Sequence, residues 1–586
     1  MTRRLAGLCA ALLVSGLAGT LPAADAPAAF KAVLDEAWEF QLREDPLFAT
    51  RTGDKRYNDR LASVAPADFE RRAVFARGIL ERLALVERGA LSASERVSYD
   101  MLRRNVEDDL AQIRFRTWRM PLNAEGSFHS GFARLPFSVP LRDTKDYEDY
   151  IARLRAFPAF ARQQVENMRE GVRTGFVQPR VILQGFEGTI TAHIVDDPSR
   201  SAFWKPFESF PNGVPDADRE RLRAAGRAAI EKDVVPAYRS FLDFMTQEYL
   251  PKARTSIGAS ELPEGREYYA HLVKHFTTLD VTPDQVHAVG LEEVARIKAE
   301  MQDVLKQLDW QKGFPEFLEF LRTDPRFYPK TADELLTRAR AIAKRMDGQL
   351  PSLFKTLPRQ PYGVEPVPAD LAPKYTGGRY NGAPIESNRA GAYWVNTYAL
   401  DKRTLYTLEA LTLHEAVPGH HLQTSLAQEL KSLPEFRRHE YVNAFGEGWG
   451  LYSERLGLEA GFYQDPYSNF GRLVYEMWRA CRLVVDTGMH WKGWTRDQAL
   501  DYLGGNAALS LHEVTTEIDR YIGWPGQALA YKMGELKIRE LRQRAEQALG
   551  SRFDVREFHD AVLGNGSVPL SVLEDQIDAY IAQARR

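Results

Sequence analysis

Cysteine is nearly missing from this chain. Only Cys9 and Cys481 occur in 586 residues. Cys9 falls in an N-terminal stretch expected to be removed, so no intrachain disulfide can hold the mature protein. A buried core must do so, which the length allows. An excess of one charge is missing too. Lys and Arg number 77 against 80 Asp and Glu, a formal net charge of −3. Without a basic run of consequence, no nucleic-acid partner is expected. Internal repeats and low-complexity linkers are lacking. The apolar stretch from Leu5 to Leu21 follows Arg3-Arg4 and is short for a membrane span. Ala24-Asp25-Ala26 fits small-x-small cleavage, so residues 1–26 are expected to be a signal peptide and the mature chain to start near Pro27. The expected location is periplasmic or secreted, with no stable membrane insertion after cleavage. An uncleaved anchor is the alternative. Lipid attachment at Cys9 is disfavoured because Leu8 stands where a small residue is expected.

What is present is mostly helical pattern. Apolar residues recur at spacings of three and four over Phe30–Glu44, Pro66–Gly89, Ser92–Arg114, Thr144–Thr174, Asp216–Tyr249, Thr282–Leu308 and Thr331–Gly348. Asn123–Pro140, punctuated by Gly and Pro, reads as a loop. The character changes near Leu357. A stretch rich in Pro, Gly and Tyr leads into Gly391–Tyr398, the best strand candidate. Such a strand could pair its edge with an extended peptide, which makes Tyr393 and Asn396 candidate substrate-binding residues.

The chemical content concentrates in Thr412-Leu-His414-Glu415-Ala-Val-Pro418-Gly419-His420-His421-Leu-Gln423. In H-E-x-x-H, two His residues one helical turn apart bind zinc and the Glu activates water. Here Pro418 occupies the second ligand position. On an unbroken helix His420 would face roughly 240° away, and His421 would sit roughly 10 Å along the axis. A local break at Pro418-Gly419 could bring one of them back. His420 needs the smaller insertion, with His421 close behind. Leu405, Leu408, Leu411 and Leu413 make the preceding helix apolar, so a solvated surface cluster is disfavoured.

A catalytic zinc keeps three protein ligands and one open position. Glu447, in the helical pattern Glu440–Leu458, is the expected third ligand. Glu454, two turns on, would support the site or be a helix-surface charge. Tyr531 and Arg520 are candidate donors to a developing oxyanion. His512-Glu513 reads as structural. His271 and His275 have i,i+4 spacing but no adjoining Glu, so they form a weaker rival metal pair.

The segments T-L-H-E-A-V-P-G-H-H-L-Q, F-G-E-G-W-G-L-Y-S-E, R-Y-I-G-W-P-G-Q-A-L-A-Y-K-M-G and G-N-G-S-V-P-L-S-V-L-E together resemble a large bacterial family of zincin-like proteins catalogued as a domain of unknown function. The resemblance spans about Phe30 to Ile581. Such proteins are similar to the helical gluzincin oligopeptidases. The resemblance implies a mainly α, two-lobed fold with a deep cleft and a small β element before the metal-binding helix. It implies a catalytic domain over residues 27–586, with an N-terminal helical lobe over about 27–260 and a metal-site lobe over about 261–586. It also implies Zn²⁺ on His414, on His420 or His421, and on Glu447, with Glu415 as base.

The expected function is zinc-dependent hydrolysis of peptide or related amide bonds through metal-activated water, on short substrates. The alternatives are a non-catalytic envelope protein that binds peptides, and a zinc amidase acting on a non-peptide amide. The sequence carries no signal for oligomeric state, substrate identity, or endo- against exo-cleavage.

Overall fold

The computed structural model describes residues 25–123, 127–369, 372–385 and 389–586. Residues 1–24 of the expected signal peptide lie outside the described residues. Among those described, no helix is long and apolar enough to cross a membrane.

Three helices open the chain: α1 (Ala26–Glu44), α2 (Pro66–Ala84) and α3 (Ala93–Phe115). Ser92 and Glu95 close a capping box at the start of α3, with Ser92 N donating to Glu95 Oε2 at 2.8 Å. The next long helices are α4 (Thr144–Thr174), α5 (Asp216–Ala229) and α6 (Val235–Phe244). The stretch expected to be a loop carries two short helices, Phe128–Ala133 and Leu135–Ser138. Phe132 and Leu135 bury themselves there, and the burial outweighs the Gly and Pro punctuation. Then come α7 (Gly265–Thr277), α8 (Pro283–Gln307) and α9 (Ala332–Asp347).

A three-stranded sheet follows: β1 (Tyr362–Pro366), β2 (Gly378–Asn381) and β3 (Gly391–Val395). Its order is β1-β3-β2, parallel between β1 and β3 and antiparallel between β2 and β3, with Tyr380 opposite Tyr393. Along β3 burial alternates, and Tyr393 and Val395 pack with Leu335, Ala339 and Leu408. The site helices are α10 (Leu408–Glu415), α11 (His420–Glu429) and α12 (Asn443–Leu456). Behind them lie α13 (Pro466–His490), α14 (Leu511–Gly523) and α15 (Ala530–Leu549).

The fold is thus mainly α with one small sheet. The core shows how the halves relate. Phe30, Ile79 and Met101 of α1–α3 belong to the same apolar cluster as Leu413 and Trp449 of the site helices and Ile538 of α15. The helices α4–α6 close a separate core around Tyr150, Leu154, Phe157 and Tyr238. The expected lobe boundary near residue 260 therefore cuts across one shared core, because the first three helices pack against the site helices rather than with α4–α6.

Candidate metal centre

The helix pattern breaks where Pro418-Gly419 stands. α10 ends at Glu415 and α11 starts at His420. Between them Val417–Pro418 is a cis peptide, and Gly419 N donates to Leu413 O at 3.0 Å while His421 N donates to Ala416 O at 3.1 Å. Gly419 has to be glycine for steric reasons, since a Cβ there would lie 1.9 Å from His414 O. Trp449 of α12 donates from Nε1 to Pro418 O at 2.9 Å and fixes the break against the next helix.

This folding brings His414, His420 and Glu447 together. Among the described residues they form the group of His, Cys, Asp and Glu side chains able to share one ion, with ligand atoms within 4.8 Å of one another. Glu447 Oε2 is 3.6 Å from Nε2 of both His414 and His420. Donor atoms of one tetrahedral zinc, at bond lengths of about 2.0–2.2 Å, lie roughly 3.4 Å apart. The His₂Glu set, with three protein donors and an open fourth side, fits such an ion. α12 supplies the fit through glycine. A Cβ at Gly450 would come 2.6 Å from His414 Cε1, and one at Gly448 would come 2.5 Å from the backbone of Gly534. Glu447 therefore sits on a helix wedged close between His414 and α15.

His414 is oriented from behind. Its Nδ1 lies 2.8 Å from Glu454 Oε1, and Glu454 lies 3.6 Å from Arg479. That is the carboxylate support metal-binding imidazoles commonly have. Burial opposes a charge on His414, but the carboxylates of Glu447 and Glu454 outweigh it and hold the imidazole up to about 9. Burial likewise disfavours the Glu447 carboxylate, and the imidazoles of His414 and His420 override that and hold it well below its ordinary value.

Glu415, the last residue of α10, accepts a hydrogen bond from Tyr380 N of β2 at 2.8 Å on Oε2. Tyr531 is near enough for Glu447 to push its phenol up, after burial, while Arg482 and Arg520 pull it down. Arg520 donates to Gln527 at 2.7 Å and to Glu517 at 3.1 Å, so it stands behind Tyr531 as support.

Three sequence expectations change. His421 lies outside the triad. Its Nδ1 is 3.1 Å from Tyr380 Oη and its ring faces Tyr362, because one step along α11 turns it roughly 100° toward the sheet. Tyr393 is fully buried with its hydroxyl 3.4 Å from Thr412, so it is a core residue. Asn396 is also buried and donates to the carbonyls of Ala372, Tyr375 and Thr376. Neither is placed to hold substrate. β3 is the central strand with both edges paired, so the edge facing Glu415 belongs to β2.

Tyr441 was not legible as a site residue. Its hydroxyl donates to Glu447 Oε1 at 3.2 Å. Only its place six residues before Glu447, ahead of the helix, could have drawn notice. Of the rival pair, His275 Nδ1 lies 2.8 Å and His271 Nε2 3.5 Å from the same Asp108 oxygen, one carboxylate for two imidazoles. Glu513 caps its own helix through Ser510.

The family described as "Bacterial protein of unknown function (DUF885)" matches residues 46–577, and the chain belongs to it. No curated protein matches. A crystal structure described as a "putative lipoprotein" from Colwellia psychrerythraea is similar at 29% identity and a TM-score of 0.89, covering 96% of this chain and 100% of that one. A second structure, described in the same words and as of unknown function, comes from Shewanella oneidensis. It is 19% identical with a TM-score of 0.72, covers 95% of this chain and 99% of the other, and so shares the fold.

Proposed function

We propose that this member of the DUF885 family is a zincin-like hydrolase of the cell envelope that cleaves peptide or related amide bonds. The observation that carries the reading is the equal 3.6 Å spacing of Glu447 Oε2 from the two imidazole nitrogens, with Glu415 on the same helix break. His414, His420 and Glu447 would hold zinc, which when bound supplies a Lewis acid that lowers the pKa of water and polarises a carbonyl. The chain's own residues do the rest. Glu415, aimed by the Tyr380 N–H, takes the proton of the attacking water and delivers it to the leaving nitrogen. Tyr531 and Tyr441, both beside Glu447, would donate to the oxygen that gains charge. The outer edge of β2 offers backbone groups to an extended substrate next to Glu415. An envelope location accords with the apolar N-terminal stretch and with the description carried by the similar Colwellia structure.

The test is elemental analysis of purified protein beside His414→Ala, followed by a peptide-library screen. About one zinc per chain, lost in His414→Ala, with cleavage of some peptides, supports the reading. A protein that takes up no stoichiometric zinc on reconstitution would sink it.

A further inference from the structure

Beside the triad lies a chamber of about 510 Å³. Tyr441 and Asn443 line it at the end nearest Glu447. By chain length, Glu440 lies within about 16 Å of Glu447, counting four helical and three extended residues. One wall is aromatic: Trp38, Phe40, Phe48 and Phe75, contributed by α1, α2 and the short helix Pro46–Arg51 between them. Phe40 stacks on Phe75 at 3.6 Å, and Trp38 meets Phe48 edge-on. The other wall carries Asp108, Asp109 and Glu440 with Arg104, Asn105 and His275.

The acids are unevenly matched. Asp108 is paired with His275, and Glu440 accepts from Asn105 at 2.9 Å. Arg104 directs its guanidinium to the His275 carbonyl. Asp109 has no hydrogen bond or ion pair among the described residues, although its side chain is open to the chamber. Burial first, then repulsion from Asp108 and Glu440, pushes its carboxyl up to about 7. Glu440 is raised as well, again chiefly by burial. Asp109 is thus an acid of this wall that no cation pairs among the described residues.

We infer that this chamber selects substrates carrying a primary ammonium next to an aromatic or apolar side chain, with Asp109 and Glu440 receiving the ammonium and the aromatic wall receiving the side chain. Carboxylates and aromatic faces both attract a desolvated ammonium. The distance to the triad is spanned by about four or five extended residues, at roughly 3.3–3.6 Å each. The inference deepens the hydrolase reading and rests on it for cleavage. The binding it asserts can be measured without turnover. The ammonium could come from the amino terminus of a peptide or from a lysine side chain.

The probe is the tetrapeptide amide Lys-Phe-Ala-Phe in four forms: unmodified, N-acetylated, with norleucine for lysine, and with both changes. Calorimetry on the metal-free protein reads binding. Removing the ammonium that is recognised is expected to weaken binding about 10-fold or more, the scale of one charge-assisted contact. Loss on acetylation assigns the amino terminus, and loss with norleucine assigns the side chain. Asp109→Asn should weaken the unmodified peptide by a similar factor and leave the doubly changed peptide unaffected. The wild-type series stands without that variant should it fold poorly. Equal binding of all four forms, or no binding of any, overturns the inference. If binding depends on the ammonium but the zinc-loaded protein cleaves none of the four, the hydrolase reading loses support and the chamber assignment stands.

Discussion

Two buried charge clusters lie within a few helices of each other, and they are built differently. Around Lys532 of α15, the ammonium touches Glu293 at 2.8 Å and Glu476 and Glu535 at 2.9 Å each. Arg296 and Arg472 pair with Glu476 from outside. Lys532 is fully buried and its pKa is raised, the three carboxylates outweighing burial. In the triad, by contrast, the closest spacing between Glu447 and either imidazole nitrogen is 3.6 Å. The first cluster carries its cation as a side chain and closes on it at hydrogen-bond length. The second holds its donors apart by about the edge of a metal tetrahedron. The contrast separates a cluster that carries its own cation from one whose donor spacing fits the proposed zinc ion.

The sharpest way to break this contrast is Lys532→Met. It should leave the buried carboxylates short of charge and cost about 3–5 kcal/mol, read as a large fall in melting temperature. Zinc content of the folded fraction should be unchanged. A variant as stable as wild type would show that the Lys532 cluster is not the stabilising partner in the comparison. Glu415→Gln should do the reverse, lowering kcat about 10²–10⁴-fold, the range of a general base, with melting temperature and zinc content kept. Wild-type turnover would remove Glu415 from the chemistry. Glu454→Gln should act between these, weakening zinc affinity about 10–100-fold through the orientation of His414. Competition with a chromogenic chelator measures it, and unchanged affinity would mean that Glu454 only packs.

Per pH unit, the smallest effect concerns a third kind of buried acid. Asp486 of α13 accepts from Tyr269 Oη at 2.6 Å and from Gly526 N at 3.1 and 3.2 Å. Burial pushes it up to about 7, against the pull of those donors. Its folded value lies above the unfolded one of about 3.9, so the native state keeps a proton that the unfolded state releases. Stability from this group is full below pH about 4 and is lost as pH rises through 7, with a slope of at most about 1.4 kcal/mol per pH unit. Asp486→Asn should flatten the fall in melting temperature between pH 5 and pH 8. An identical pH dependence in both proteins would show that Asp486 titrates at its ordinary value.

The legible parts were those with local causes. Helix periodicity and capping residues mark α1 through α4, α8 and α9 because burial of a stripe needs only short-range order. The helix break was legible in Pro418-Gly419 because both residues act on their own backbone. Which imidazole returns to the site was not, since it depends on the turn between Ala416 and His420. Strand order was hidden as well. Gly391–Val395 reads as a strand, but nothing in its residues says that it is the middle one. The chamber was invisible, because Asp109 and Glu440 are separated by more than half the chain and meet only when α3 packs before α12.

Gly448 and Gly534 let α12 and α15 cross with almost no side chain between them. This pair works as a caliper. The jaw that carries Glu447 is set by the thickness of bare backbone, so a single methyl group at either glycine would press α12 off α15 and toward His414. The spacing of Glu447 from the two histidines is thus held at a helix crossing, in two residues that offer no ligand atom at all.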